Sequence, residues 1–168
     1  MPTDTNPIRP IGIIHTEFKT LHDMPIQPAG ASSVTGTIVI NPELQPGLTD
    51  LDGFSHIYLI YQFHQSSGYD LMPTPFLDIH PHGVFATRAP RRPNPIGLSI
   101  VRLLSVRDNE LTIQGADILD GTPLLDIKPY VDQFDRVKEP RSGWVSASEQ
   151  AVEQKKSDHR FSSKNSPA

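Results

Sequence analysis

Arg88, Arg91 and Arg92 stand in one short segment that also holds Pro90, Pro93, Asn94 and Pro95. Proline has no N–H for a sheet ladder and an unpaired guanidinium resists burial, so this segment is a rigid basic loop between two strand-like ends. The bias extends further: residues 79–107 contain five arginines and no acid, in a chain whose formal net charge is -4. A local basic zone on an acidic protein points to an anionic ligand. A solvated loop stiffened by proline is the plainer reading of the same residues.

Two constellations with carboxylates accompany it. In Asp117-Ile118-Leu119-Asp120-Gly121-Thr122-Pro123 a turn exposes backbone N–H and C=O groups beside carboxylates, which suits ribose hydroxyls or an adenine edge. A simple Asp-Gly turn explains it equally well. In Asp126-Ile127-Lys128-Pro129-Tyr130 strand alternation puts Asp126 and Lys128 on one face, with Tyr130 beyond a proline bend; an ion pair on a sheet edge also accounts for this. Seven histidines invite a metal reading, and a strand would set His80 and His82 on one face beside Asp78. No third ligand stands at recognisable spacing, so no metal is assigned. The chain lacks Gly-x-Ser-x-Gly, a phosphate loop ending in Lys-Ser or Lys-Thr, and Gly-x-Gly-x-x-Gly. A hydrolase triad, an NTPase and a Rossmann dinucleotide site are thus without their signatures. With no cysteine, disulfides, thiolate nucleophiles and Cys-based zinc sites are excluded.

The elements that must position these groups are short strands. At 168 residues the chain fits one domain. It divides into a flexible lead-in (residues 1–10), a folded domain (11–146), and a weak helix with a disordered tail (147–168). Seventeen prolines and eleven glycines imply many turns and little helix. Residues 11–16, 34–40, 96–106 and 111–116 have strand character, the last two joined by a turn at 107–110. Residues 55–64 are the most apolar run and predict a central strand buried on both faces. Shorter strands are expected at 76–79, 83–88 and 124–127, long loops at 18–31 and 65–75, and at most one helical turn in 43–53. Seven or eight such strands predict a mainly β fold, a small antiparallel or mixed β-barrel with long functional loops. No apolar run reaches the ~18 residues of a membrane span, and the N-terminus lacks a signal-peptide core, so a soluble, cytoplasmic protein is expected.

Taken together, Ile11-Gly12-Ile13-Ile14-His15-Thr16, Leu51-Asp52-Gly53-Phe54-Ser55-His56-Ile57, Phe63-His64-Gln65, the segment from Arg88 to Leu98 and that from Asp120 to Tyr130 resemble the TrmO family. The resemblance covers residues 10–143. It implies an S-adenosylmethionine-dependent methyltransferase on a β-barrel, acting on the exocyclic N6 of threonylcarbamoyl-adenosine at tRNA position 37, and a homodimer in which cofactor and tRNA meet near the subunit interface. The cofactor contacts implied are Pro25, Ile26, Gln27, His64, Gln65, Arg88, Leu98, Ile118, Leu119, Asp120 and Gly121. Asp126, Lys128 and Tyr130 are expected to position or deprotonate the acceptor nitrogen, and Arg91, Arg92 and Asn94 to contact the tRNA. A non-catalytic S-adenosylmethionine sensor, or a methyltransferase on another acceptor, is the alternative.

Overall fold

Among the described residues, segments rich in β-branched and aliphatic side chains build six strands: β1 (Gly12–His15), β2 (Thr35–Ile40), β3 (His56–Gln62), β4 (Ile96–Arg107), β5 (Glu110–Gln114) and β6 (Thr122–Pro129). A one-turn helix, α1 (Asp132–Asp135), follows. These elements belong to a computed structural model that describes residues 7–22, 24 and 32–145. Pro25, Ile26, Gln27, most of the lead-in and the expected C-terminal helix and tail lie outside the described residues.

The strands close into a barrel in the order β1-β2-β5-β4-β3-β6, and every pairing is antiparallel. Closure removes the sheet edges that would otherwise invite further pairing. The interior is aliphatic: Ile14, Ile38, Ile57, Leu59, Leu111, Ile113 and Leu124 are fully buried. The β4–β5 hairpin turns on Asp108 and Asn109, with Asp108 in the left-handed region (φ 52°) that aspartate tolerates.

Several expectations are corrected. The barrel has six strands, not seven or eight. Residues 76–79 form turns, with Ile79 84% exposed, and residues 83–88 hold only a 3₁₀ turn, Val84–Ala86. Aromatic and β-branched content signalled strand in both places, but a closed barrel has no ladder left to offer them. Residues 42–53 carry more helical structure than expected, two 3₁₀ segments at Pro42–Leu48 and Leu51–Gly53. The strand read as buried on both faces is buried on one. Ile57, Leu59 and Tyr61 of β3 point inward, while Tyr58 and Ile60 are half-buried on the outer wall. Beside them Ile96, Leu98, Ile100 and Leu104 of β4 are 38% to 50% exposed, so this barrel presents an apolar outer face.

Candidate functional site

Where β3 ends and β4 and β6 begin, a cavity of ≈ 1090 Å³ opens at one end of the barrel. Its wall is mostly apolar, with Met24, Phe63, Leu98, Ile118 and Leu119 among its lining. The chain from β3 to β4 forms the rim and is pinned to itself. Phe63 N–H donates to the Pro95 carbonyl (2.8 Å), Ser66 Oγ to the Pro90 carbonyl (3.1 Å), and Arg92 to the Thr87 carbonyl (3.0 Å). Three prolines and these bonds give the basic loop a fixed shape, as its composition predicts.

The turn after β5 forms the opposite wall. Thr16 Oγ1 donates to the Ile118 carbonyl (2.7 Å), and Gly121 N–H to the Ile14 carbonyl (2.9 Å). Gly121 has φ 75°, a conformation that costs other residues a steric penalty. Asp120 clamps this turn to β1: it accepts from Thr16 N–H (3.0 Å), pairs with Lys19 (2.7 Å) and meets His15 (3.4 Å). The Lys19 hydrogen bond holds the Asp120 carboxyl below the usual carboxylate range. Thr122 Oγ1 donates to the Leu119 carbonyl (2.6 Å) and sits 3.3 Å from His64 Nδ1. Its proton being committed, Thr122 Oγ1 is the acceptor in that contact and His64 Nδ1–H the donor.

One network was not foreseen from the sequence. Ser99 Oγ donates to Asp117 (2.8 Å), and Tyr61 OH lies 3.0 Å from the same oxygen. With the serine proton engaged, the tyrosine is the donor to serine, and the three groups form one directed chain. Tyr61 of β3 and Asp117 of the turn after β5 line the cavity, and Ser99 of β4 links them. Burial pushes the Asp117 carboxyl up to about 6, against the opposing effects of the Ser99 hydrogen bond and the Arg88 charge. Burial, and then the charge of Asp117, raises the Tyr61 phenol well above its ordinary value.

The structure therefore gathers His64, Gln65, Arg88, Leu98, Ile118 and Leu119 around one cavity, together with Arg92 and Asn94. Asp120 and Gly121 stand behind its wall as supports. Arg91 lies outside the lining, its Nε buried without a hydrogen-bond partner. Asp126, Lys128 and Tyr130 are elsewhere. They lie on the outer wall of β6, where Asp126 pairs with Lys128 (2.9 Å) and the Tyr130 ring packs 5.9 Å from Tyr58. Asp126 is opposite Ile60, which is in turn opposite Leu98, so two strand spacings, roughly 10 Å, separate Asp126 from the cavity edge. His82 bonds Asp78 (2.8 Å) and stacks on Trp144 (4.3 Å). Among the described residues no three histidine, aspartate or glutamate side chains gather as a metal would require.

Comparison with known proteins agrees with this architecture. The chain is 51% identical over 157 residues to a probable S-adenosyl-L-methionine-binding protein of Pyrococcus abyssi, covering 94% of this chain and 85% of that one. It is 36% identical over 135 residues to the tRNA (adenine(37)-N6)-methyltransferase of Mus musculus, covering 75% of this chain and 31% of the mouse protein. The crystal structure of TrmO from Pseudomonas aeruginosa superimposes with a TM-score of 0.70 at 40% identity, over 83% of this chain and 62% of that one. This chain thus spans less than two thirds of that relative. Residues 13–136 match the model of the tRNA-methyltransferase O N-terminal domain, and the chain belongs to that family.

Proposed function

We propose that this protein transfers a methyl group from S-adenosylmethionine to the N6 of threonylcarbamoyl-adenosine at position 37 of tRNA. The observation that carries the reading is the cavity at the barrel end. The family's relatives are named for S-adenosylmethionine binding or tRNA adenine methylation, and six of the eleven residues expected to contact that cofactor, His64, Gln65, Arg88, Leu98, Ile118 and Leu119, line this cavity. The donor set suits the group. Apolar side chains would face an adenine ring, the Ile118–Leu119 backbone and Gln65 would offer hydrogen bonds, and the Asp117 carboxylate, the one acidic group in the lining among the described residues, would complement a cation.

When bound, S-adenosylmethionine supplies an electrophilic methyl on a sulfonium. The chain's own work is to hold donor and acceptor in line and dry, and such positioning can supply roughly 7 to 11 kcal/mol of barrier reduction. The acceptor nitrogen of threonylcarbamoyl-adenosine is conjugated to a carbonyl, so its proton is easily lost and a modest base suffices. Asp126, assisted by Lys128 and Tyr130, takes that role. Arg91, Arg92 and Asn94 meet the carboxylate of the modified base or nearby phosphates.

Asp126 lies outside the cavity, so it acts in a homodimer. The apolar outer face of β3 and β4 runs from the cavity edge at Leu98 to the row containing Asp126. Two copies pairing through this face about a two-fold axis along β3 set Asp126 of one copy over the cavity edge of the other. A tRNA substrate places this work in the cytoplasm. The test is calorimetric titration with S-adenosylmethionine, followed by transfer of labelled methyl to bulk tRNA. Binding with transfer supports the enzyme. Binding without transfer to any RNA supports the sensor, and absence of binding overturns both.

A further inference from the structure

We infer that Phe85, at the mouth of the cavity, is a stacking platform for an unpaired base of the RNA substrate. This rests on the reading of the chain as a tRNA methyltransferase and deepens it by naming a grip on the substrate. The phenyl ring is 79% exposed and belongs to the cavity rim. A lone exposed phenylalanine on a loose tip would need no explanation. This one is held from every side of its backbone. Its neighbour Val84 is 1% exposed and anchors the turn. Val84 N–H donates to the Leu71 carbonyl (3.0 Å), and Thr87 Oγ1 returns to the Val84 carbonyl (2.9 Å). Trp144 Nε1 donates to the Ala86 carbonyl (2.8 Å). An apolar ring is thus presented to solvent by an already ordered turn, which lowers the ordering cost of binding.

The surroundings identify the ligand. Tyr69 and Leu71, 60% and 56% exposed, border the same loop. Asp70 N–H donates to the Arg91 carbonyl (3.2 Å), which brings Tyr69 beside Arg91. The Arg91 guanidinium has no ion pair or hydrogen bond among the described residues, and its Nε is an orphaned donor. Flat apolar surface next to an uncompensated guanidinium fits a chain that offers both π-faces and phosphates. Single-stranded RNA does so, whereas a paired duplex hides its base faces.

The test compares wild type with Phe85→Ala and Phe85→Trp for binding S-adenosylmethionine, an anticodon stem-loop RNA, and a fully paired RNA duplex of equal length. The expected result is that Phe85→Ala binds the stem-loop roughly tenfold to a hundredfold more weakly. Its affinity for cofactor and duplex, and the salt dependence of binding that reports the arginines, stay as in wild type. Phe85→Trp retains stem-loop affinity, and RNA quenches its added fluorescence. Three results would overturn the inference: wild-type stem-loop affinity in Phe85→Ala, equal losses for all three ligands, or a changed oligomeric state by light scattering. The last would mean that a second copy covers the ring. Wild-type methylation of tRNA with a KM indifferent to Phe85 overturns the platform alone, while a wild type that binds no RNA overturns the functional reading with it.

Discussion

Asp117 carries its proton more tightly in the folded protein than in the unfolded chain, because burial raises its carboxyl from 3.8 to about 6. Between about pH 4 and pH 6 the native state therefore holds the extra proton, and stability falls as the pH rises. Above that window the folded protein carries the cost of a buried carboxylate, on the order of 3 kcal/mol for this shift. Asp117→Asn should remove that cost: denaturant unfolding should find it up to about 3 kcal/mol more stable than wild type at pH 7, and lacking the decline between pH 4 and pH 6. Calorimetry should at the same time find weaker S-adenosylmethionine binding, since the neutral amide no longer complements a cation. Parallel stability profiles for the two proteins would contradict this account of the site. In the sequence Asp117 was legible as a turn carboxylate and not as a partner of Tyr61 and Ser99. Tyr61, Ser99 and Asp117 lie 38 and 18 positions apart and meet only through the β3–β4 register. His64, Gln65, Arg88 and Leu98, each named from a contiguous motif, line the one cavity.

At the scale of elements, the register that brings Tyr61 to Ser99 depends on Gly97. Gly97 lies opposite Tyr61 across the β3–β4 ladder, and a Cβ there would overlap the Tyr61 ring. Gly97→Ala must displace that ring and with it the hydrogen-bond chain to Asp117. A loss of about 1 to 3 kcal/mol in unfolding free energy is expected, with cofactor affinity falling along with it; unchanged stability and affinity would show that the ring has room to yield. The strands with clear alternation were readable, as were the hairpin at Asp108 and the turn at Gly121, because local chemistry decides them. The segments at residues 76–79 and 83–88 were misread because strand propensity counts side chains and not available partners. Of their apolar residues Val84 is buried under the loop, while Ile79 and Phe85 are exposed.

For the whole molecule, the cavity and Asp126 face different directions on one barrel, which is what the proposed homodimer has to reconcile. Ile100, 40% exposed in the middle of the apolar outer face, is the probe. Ile100→Lys should give a monomer by light scattering, with the barrel intact by circular dichroism and turnover lost, because a buried unpaired charge at the centre of an interface is not tolerated. Mixing two inactive variants, Asp126→Asn and a cavity variant such as Leu119→Arg, should restore about a quarter of wild-type turnover through random pairing of copies; no recovery would place Asp126 outside the reaction or within its own copy's site. Barrel closure and antiparallel topology could be anticipated from short strands and scarce helix, whereas the apolar outer face could not. In sequence it is hard to tell from core, since the outward positions carry Tyr58 and Ile60 in β3 and Leu98 and Ile100 in β4, beside the inward Ile57, Leu59 and Val101. The most direct measurement of the central claim is mass spectrometry of nucleosides after incubating the protein with methyl-labelled S-adenosylmethionine and tRNA prepared with or without the threonylcarbamoyl group. Label on N6 of threonylcarbamoyl-adenosine, and only in the modified pool, is the predicted result. Label on another nucleoside, or equal label in both pools, would contradict it.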